Sequence, residues 1–136
     1  AEYRDYLRRT RRSHQESFFV VTVASGELAG VVNINDIVRY SEQSGRLGYY
    51  AFTPHAGSGL MAEGLALVIG RAFGELGLHR LEANIQRDNR RSIELVRGLG
   101  FRREGVARGL LKIGGRWRDH DRWALLKDEW RNGRRP

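Results

Sequence analysis

The strand-like run that ends at Pro54 leads into Pro54-His55-Ala56-Gly57-Ser58-Gly59 and then into a long amphipathic segment. A glycine-rich turn lets backbone amides approach an anion at a helix N-terminus, where the helix dipole adds about half a positive charge. The chemistry on offer is capture of a phosphate or pyrophosphate; taken alone, two glycines mark a tight turn equally well. The turn is too short for a Walker loop, and it lacks both the Gly-Lys-Ser/Thr ending and the third glycine and downstream acid of a dinucleotide fold. Asn89 precedes a short helical segment and suits an N-cap that accepts from the amide near Ser92, itself an ordinary first-turn residue. The four histidines, His14, His55, His79 and His120, form no catalytic or metal-ligating pattern, so no metal is expected. Around His120, Asp119 and Asp121 favour the charged imidazole and argue against a neutral base. Trp117, Trp123 and Trp130 are spaced by six and seven, and with Tyr49 and Tyr50 they read first as packing and second as an acceptor groove. Glu63, in the first turn of the long helix, reads as dipole stabilisation rather than catalysis.

These residues need elements to hold them. Residues 1 to about 15 lack proline and glycine, and Tyr3, Tyr6 and Leu7 recur at helical spacing, which predicts an amphipathic helix with a narrow apolar stripe. Phe18 to Ala24 and Leu28 to Val38 are apolar runs separated by Ser25-Gly26 and predict a hairpin. Arg46 to Thr53 is a third strand, stopped by Pro54. Met61, Leu65, Val68, Ile69, Ala72, Phe73 and Leu76 then mark one face of a helix from Leu60 to Leu76, weakened and ended by Gly74 and Gly77. Leu81 to Ile85 predicts a strand, Asn89 to Leu99 a short helix, and Phe101 to Ile113 an extended segment. Gly114-Gly115 turns that segment into Trp117 to Leu126. With no linker or repeat, residues 1–136 read as one mixed α/β domain.

The 136 residues suit a single domain, and 40% hydrophobic content is enough for a core. No apolar run approaches the roughly 18 residues of a membrane span, and the first twelve residues are arginine-rich where a signal peptide is apolar. The absence of cysteine removes disulfides, thiolate nucleophiles and the usual zinc sites, and is compatible with a cytoplasmic protein. The net charge of +8 comes from 24 basic residues against 16 acidic ones, concentrated at both ends, so a surface attractive to phosphates or acidic proteins is expected.

Four segments in register carry a resemblance: Gly48-Tyr49-Tyr50 before the proline, Gly57-Ser58-Gly59-Leu60-Met61-Ala62-Glu63 after it, Asp88-Asn89 with Ser92, and Leu99-Gly100-Phe101 with Glu104-Gly105. Over residues 18 to 127 the sequence resembles the GNAT N-acetyltransferase superfamily, and within it the ribosomal-protein N-terminal acetyltransferase branch called RimJ/RimL-like. The resemblance implies a largely antiparallel twisted sheet flanked by helices, with two middle strands splayed so that the pantetheine of acetyl-CoA enters as a pseudo-strand. It also implies that a strand and helix found at the start of that superfamily are missing from this chain, as in a trimmed fragment. Backbone groups of Tyr50 to Thr53, with Phe52 or a neighbour polarising the thioester carbonyl, would pair with the acyl-pantetheine. Ala56, Gly57, Ser58, Gly59 and Leu60 would hold the pyrophosphate, Asn89 the pantetheine arm, and Ser92 would donate to the leaving thiolate.

In this reading an amine attacks the thioester directly, and positioning supplies up to about 7 to 11 kcal/mol of the barrier. The base departs from relatives: positions that carry a glutamate and a tyrosine in a related branch are Asn84 and Val96 here, and another glutamate position approximates to Leu111. A water held by Asn84 is the expected substitute. A weak base favours an acceptor that is already partly neutral: an α-amine near 7.7 to 8.0 is roughly a fifth to a third free base near neutrality, against below about 0.1% for lysine near 10.4. A protein N-terminus is therefore the favoured partner, with no membrane partner, nucleic acid met only through ribosome proximity, and room for a homodimer. The alternatives are a catalytically weak acyl-CoA-binding relative, and a basic nucleic-acid-binding module, for which no helix-turn-helix, zinc finger or RNA-binding signature is present.

Overall fold

A computed structural model of the chain describes residues 6–12, 14–52 and 59–130, the first of these as backbone. Chain order runs β1 (Tyr6–Arg12), β2 (Gln15–Val21), β3 (Leu28–Val38), β4 (Ser44–Ala51), α1 (Leu60–Phe73), β5 (Arg80–Ile85), α2 (Arg90–Gly98), β6 (Arg102–Ile113), β7 (Arg116–Leu126) and a short 3-10 turn at Lys127–Glu129. The strands form one seven-stranded sheet in the order β1-β2-β3-β4-β5-β7-β6. Every neighbouring pair is antiparallel except β4 and β5. This is the mixed, largely antiparallel architecture that the sequence implies.

The first element corrects the sequence reading. Tyr6–Arg12 is a strand paired along the whole of β2, from Tyr6 opposite Val21 to Arg12 opposite Gln15, where a helix was expected. A narrow apolar stripe gives a helix little to bury, whereas the free edge of β2 offers a row of backbone partners. Four strands, not three, thus precede the glycine cluster. The long helix also ends three residues early, at Phe73: the Gly74 amide makes a last helical bond to the Gly70 carbonyl at 2.9 Å, and the Gly74 backbone, at φ −86° and ψ −81°, then leaves the helix. The Gly114-Gly115 turn is as expected: both residues have positive φ, 61° and 80°, as a two-residue hairpin between strands of right-handed twist requires.

Both described helices lie on the same face of the sheet. Phe18, Val20, Val32 and Ile34 are fully buried beneath α1, against Leu65, Val68, Ile69 and Ala72. Leu81, Ala83 and Ile85 of β5 continue this core toward Val96 of α2, then Leu99 and Phe101. The opposite face carries polar side chains where β4, β5 and β6 run close together. There the Arg80 guanidinium reaches Glu104 at 2.7 Å and Glu82 at 3.0 Å, and Arg46 approaches Glu82 at 3.9 Å. The Arg80 bond and charge hold the Glu104 carboxyl below its ordinary range.

One glycine sets how closely α1 seats on the sheet. A Cβ on Gly30 would fall 2.5 Å from the Met61 sulfur and 2.7 Å from the Tyr50 carbonyl oxygen. The sulfur could swing aside, but the carbonyl belongs to β4. Gly30→Ala is expected to lower stability by about 1 to 3 kcal/mol through overpacking, read as a shift of the denaturation midpoint in urea. An unchanged midpoint would show that β3 and β4 part without cost at this point.

Candidate active site

The parallel pairing of β4 with β5 is short. It runs from Ser44 opposite Arg80 to Leu47 opposite Ala83 and stops, although β4 continues to Ala51 and β5 to Ile85. Beyond Leu47 the two strands splay. The Phe52 amide donates to the Ala29 carbonyl of β3 at 2.9 Å, so it is committed inside the sheet. Strand groups alternate in direction, which places the backbone amides and carbonyls of Tyr49 and Ala51 on the β5 side, facing the gap. Of the Phe52 amide and its neighbours, the Ala51 amide is thus the one that faces the gap, a difference of one residue that reverses the direction of the N–H.

A cavity of about 480 Å³ opens beside the splayed end of β4, bounded by Tyr49 to Ala51, by Gly59 and Met61 at the start of α1, and by Asn89 and Ser92 of the α2 turn. Gly59 has φ 90°, a left-handed conformation that suits glycine, and its carbonyl accepts the first helical bond from the Glu63 amide at 3.2 Å. Ala56, Gly57 and Ser58, the remainder of the expected pyrophosphate cradle, lie outside the described residues, as do Thr53, expected to pair with the pantetheine, and His55. Leu60 is buried in the core as the first residue of α1.

On the α2 side, Asn89 is an N-cap: its Oδ1 accepts from the Ser92 amide at 3.3 Å. That bond uses the oxygen only and leaves the Asn89 amide group as a donor at the cavity wall. Ser92 Oγ lies 2.6 Å from the Tyr49 hydroxyl. Sequence reasoning singled out Ser92 and treated Tyr49 mainly as packing; the signal for the pair is that residue 49 alternates onto the helix-bearing face. Burial pushes the Tyr49 phenol above its ordinary 10.0, with the Ser92 hydrogen bond pulling weakly the other way. Tyr49 is therefore a proton donor through the neutral range. With one hydroxyl donating to the other, a second O–H stays available to an atom in the cavity.

Among the other singled-out residues, Val96 is fully buried in the core and Leu111 is exposed on β6. His14 and His79 are exposed, and His120 is buried. Trp123 is core, Trp130 packs partly against it, and Trp117 is 66% exposed on the β6–β7 hairpin. Among the described residues no cluster of His, Asp and Glu has the makings of a metal site, and no helix is long and apolar enough to cross a membrane.

A splayed parallel pair beside a helix N-terminus is the point at which comparison with known proteins decides the family. The description "Acetyltransferase (GNAT) domain" matches residues 1–102. The chain belongs to the GNAT acetyltransferase family. It is 35% identical to the "Probable N-acetyltransferase YjcK" of Bacillus subtilis, over 92% of this chain and 69% of that protein. It is 40% identical to the "[Ribosomal protein uS5]-alanine N-acetyltransferase" of Escherichia coli, over 79% of this chain and 56% of the enzyme. The fold superposes with a TM-score of 0.81 on Mycobacterium smegmatis RimJ solved in complex with CoA-disulfide, at 28% identity, covering 85% of this chain and 55% of that one. The RimJ-like branch is thus supported in sequence and in fold, and the chain spans between 55% and 69% of the length of these relatives.

The hydroxyl pair yields a prediction. Tyr49→Phe and Ser92→Ala are each expected to lower kcat by about 10²-fold, the smaller end of what a positioned proton donor contributes, while acetyl-CoA affinity stays within about threefold. Steady-state kinetics alongside calorimetric titration separate the two effects. Loss of affinity without loss of kcat would make the pair a binding element instead of a donor.

Proposed function

We propose that the chain moves an acetyl group from acetyl-CoA to a primary amine, most favourably the α-amine at a protein N-terminus, by direct attack on the thioester. The observation that carries this reading is the splay itself. Its walls are the unpaired edges of β4 and β5, which suit a ligand that brings its own amides in strand-like form, and the Tyr49–Ser92 hydroxyls stand beside it. Acetyl-CoA fits such a site: the pantetheine arm has two amides for the edges of Tyr49 and Ala51, Asn89 offers a further donor, and the start of α1 near Gly59 offers positive potential to the pyrophosphate. The cosubstrate supplies the activated acyl group.

The chain's residues then divide the work. The Ala51 amide polarises the carbonyl, the Tyr49 and Ser92 hydroxyls protonate the departing thiolate, and the splay aligns the amine with the carbonyl carbon. The preference for an α-amine rests on its larger neutral fraction and accords with a relative named for acetylating an alanine of a ribosomal protein. A cytoplasmic setting belongs to the same reading.

Two measurements test it. Acetyl-CoA at a hundred times its Kd is expected to stabilise the protein by about 2.7 kcal/mol, seen as a thermal shift that unrelated nucleotides do not reproduce. Mass spectrometry after incubation with a peptide bearing both a free N-terminal alanine and an internal lysine is expected to show one acetyl group, at the N-terminus. Stabilisation without transfer to any peptide or amine would mark an acyl-CoA-binding relative, and acetylation of the lysine alone would overturn the acceptor.

A further inference from the structure

The proposed reaction has a donor for the thiolate and, so far, no acceptor for the amine's proton. Asn84 bears on this first. Its Oδ1 is buried and makes no hydrogen bond within the protein. Directly opposite in register on β7 is Arg122, whose Nε is buried and equally unpaired. An acceptor and a donor that sit across one strand pair and satisfy neither each other nor any neighbour form a polar spot that calls for a small polar group, such as a water or an amine.

His120 lies two residues from Arg122 along β7, hence on the same face of the sheet and one diagonal step from Asn84. It is only 3% exposed. Its Nδ1 lies 3.0 Å from the Arg118 carbonyl oxygen. A carbonyl only accepts, so Nδ1 carries the proton in this hydrogen bond and the Nε2 lone pair is left as the ring's acceptor.

The flanking aspartates, expected from the sequence to hold the imidazole charged, are turned away. Asp119 and Asp121 project from the opposite face by strand alternation. Asp119 Oδ1 accepts the Gly109 amide at 2.8 Å, and Asp121 Oδ1 takes Arg103 at 3.3 Å and Arg87 at 3.4 Å. A cleft of about 680 Å³ opens beside this face between Gln86 to Asp88 and Trp117 to Asp119, the residues that immediately follow β5 and precede His120.

The geometry points to His120 Nε2 as the proton acceptor of the transfer, acting on an amine held at Asn84 on the sheet face opposite the Tyr49–Ser92 pair. This assignment rests on the acetyltransferase reading above. The amine nitrogen forms a bond to the thioester carbonyl carbon and the carbon–sulfur bond breaks. The N–H proton passes to His120 Nε2, directly or through one water on Asn84 Oδ1, and the thiolate takes a proton from the hydroxyl pair. The imidazolium then returns its proton to solvent, and the hydroxyl pair regains one from solvent. Entry of the nucleophile on one face and protonation of the leaving group on the other keeps base and acid from quenching each other.

The test compares two amides of different reach, using the whole 136-residue chain, acetyl-CoA and a peptide with N-terminal alanine. His120→Asn places an amide N–H where Nδ1 stood and so keeps the Arg118 bond while removing Nε2; His120→Gln does the opposite. Both are expected to lower kcat by about 10² to 10⁴-fold with acetyl-CoA affinity unchanged within about threefold, and added imidazole is expected to restore part of the turnover of His120→Ala. Independently of turnover, nitrogen-15 correlation spectra of the histidine-labelled protein should show neutral His120 protonated on Nδ1. Wild-type kcat in a folded His120→Asn, or a proton on Nε2 in the neutral ring, overturns the assignment and leaves the acetyltransferase reading intact. A wild type that binds acetyl-CoA and transfers nothing overturns both.

Discussion

The rest of the structure depends on two strands failing to stay paired. β4 and β5 share a parallel ladder only as far as Leu47 and Ala83, and each then keeps its other neighbour, β3 for one and β7 for the other. An unsatisfied backbone group away from water costs about 1 to 3 kcal/mol, so a sheet opens its own middle only where something holds it open and something else fills it. Below the splay, the ladder, the Arg46–Glu82 contact from β4 and the Arg80–Glu104 bond across to β6 tie β5 into the sheet. Above it, the Tyr49 side chain reaches over to Ser92, and α2 wedges against the sheet through Val96. The clamp and the wedge together turn a continuous sheet into one with a slot whose walls present hydrogen-bonding edges.

The slot also explains why chemistry can be shared between two faces of a sheet. Side chains alternate along a strand, so neighbours such as Tyr49 and Tyr50 serve opposite sides of one gap. The helix-bearing face gathers hydroxyls, a capping amide and the start of α1. The other face gathers Asn84, Arg122 and His120, two of which hold buried atoms without a partner inside the protein. Buried polar atoms without partners are unfavourable for folding alone, and a cluster of them beside a gap is understandable when the gap is where a polar substrate sits.

Much of this was legible in residue order. The runs at Phe18 to Ala24 and Leu28 to Val38, the change to helical period after Gly59, the cap at Asn89 and the turn at Gly114-Gly115 all follow from local chemistry, and the structure places strands, helices and turns there. Residues 6–12 were not legible, because a weak helical period loses to the backbone partners that an edge strand offers, and those partners are distant in sequence. The splay was available only through resemblance, since nothing in the composition of β4 or β5 says where their ladder stops. The turn expected to hold the pyrophosphate, Ala56 to Ser58, lies outside the described residues and rests on the sequence.

His120 shows most clearly what register adds. In sequence it stands between two aspartates, and proximity along the chain suggests a charged imidazole. In the sheet Asp119 and Asp121 point to the other face, and each has its own donors. What shares the ring's face is set by pairing: the Arg118 carbonyl within hydrogen-bond reach of Nδ1, and Asn84 and Arg122 on the adjoining pair. A strand alternates its environment every residue, so the electrostatics of a strand residue are written by positions two away and by the neighbouring strand. The same parity that turns the Phe52 amide toward β3 and the Ala51 amide toward the gap sets His120 and its two neighbouring aspartates on opposite faces of the sheet.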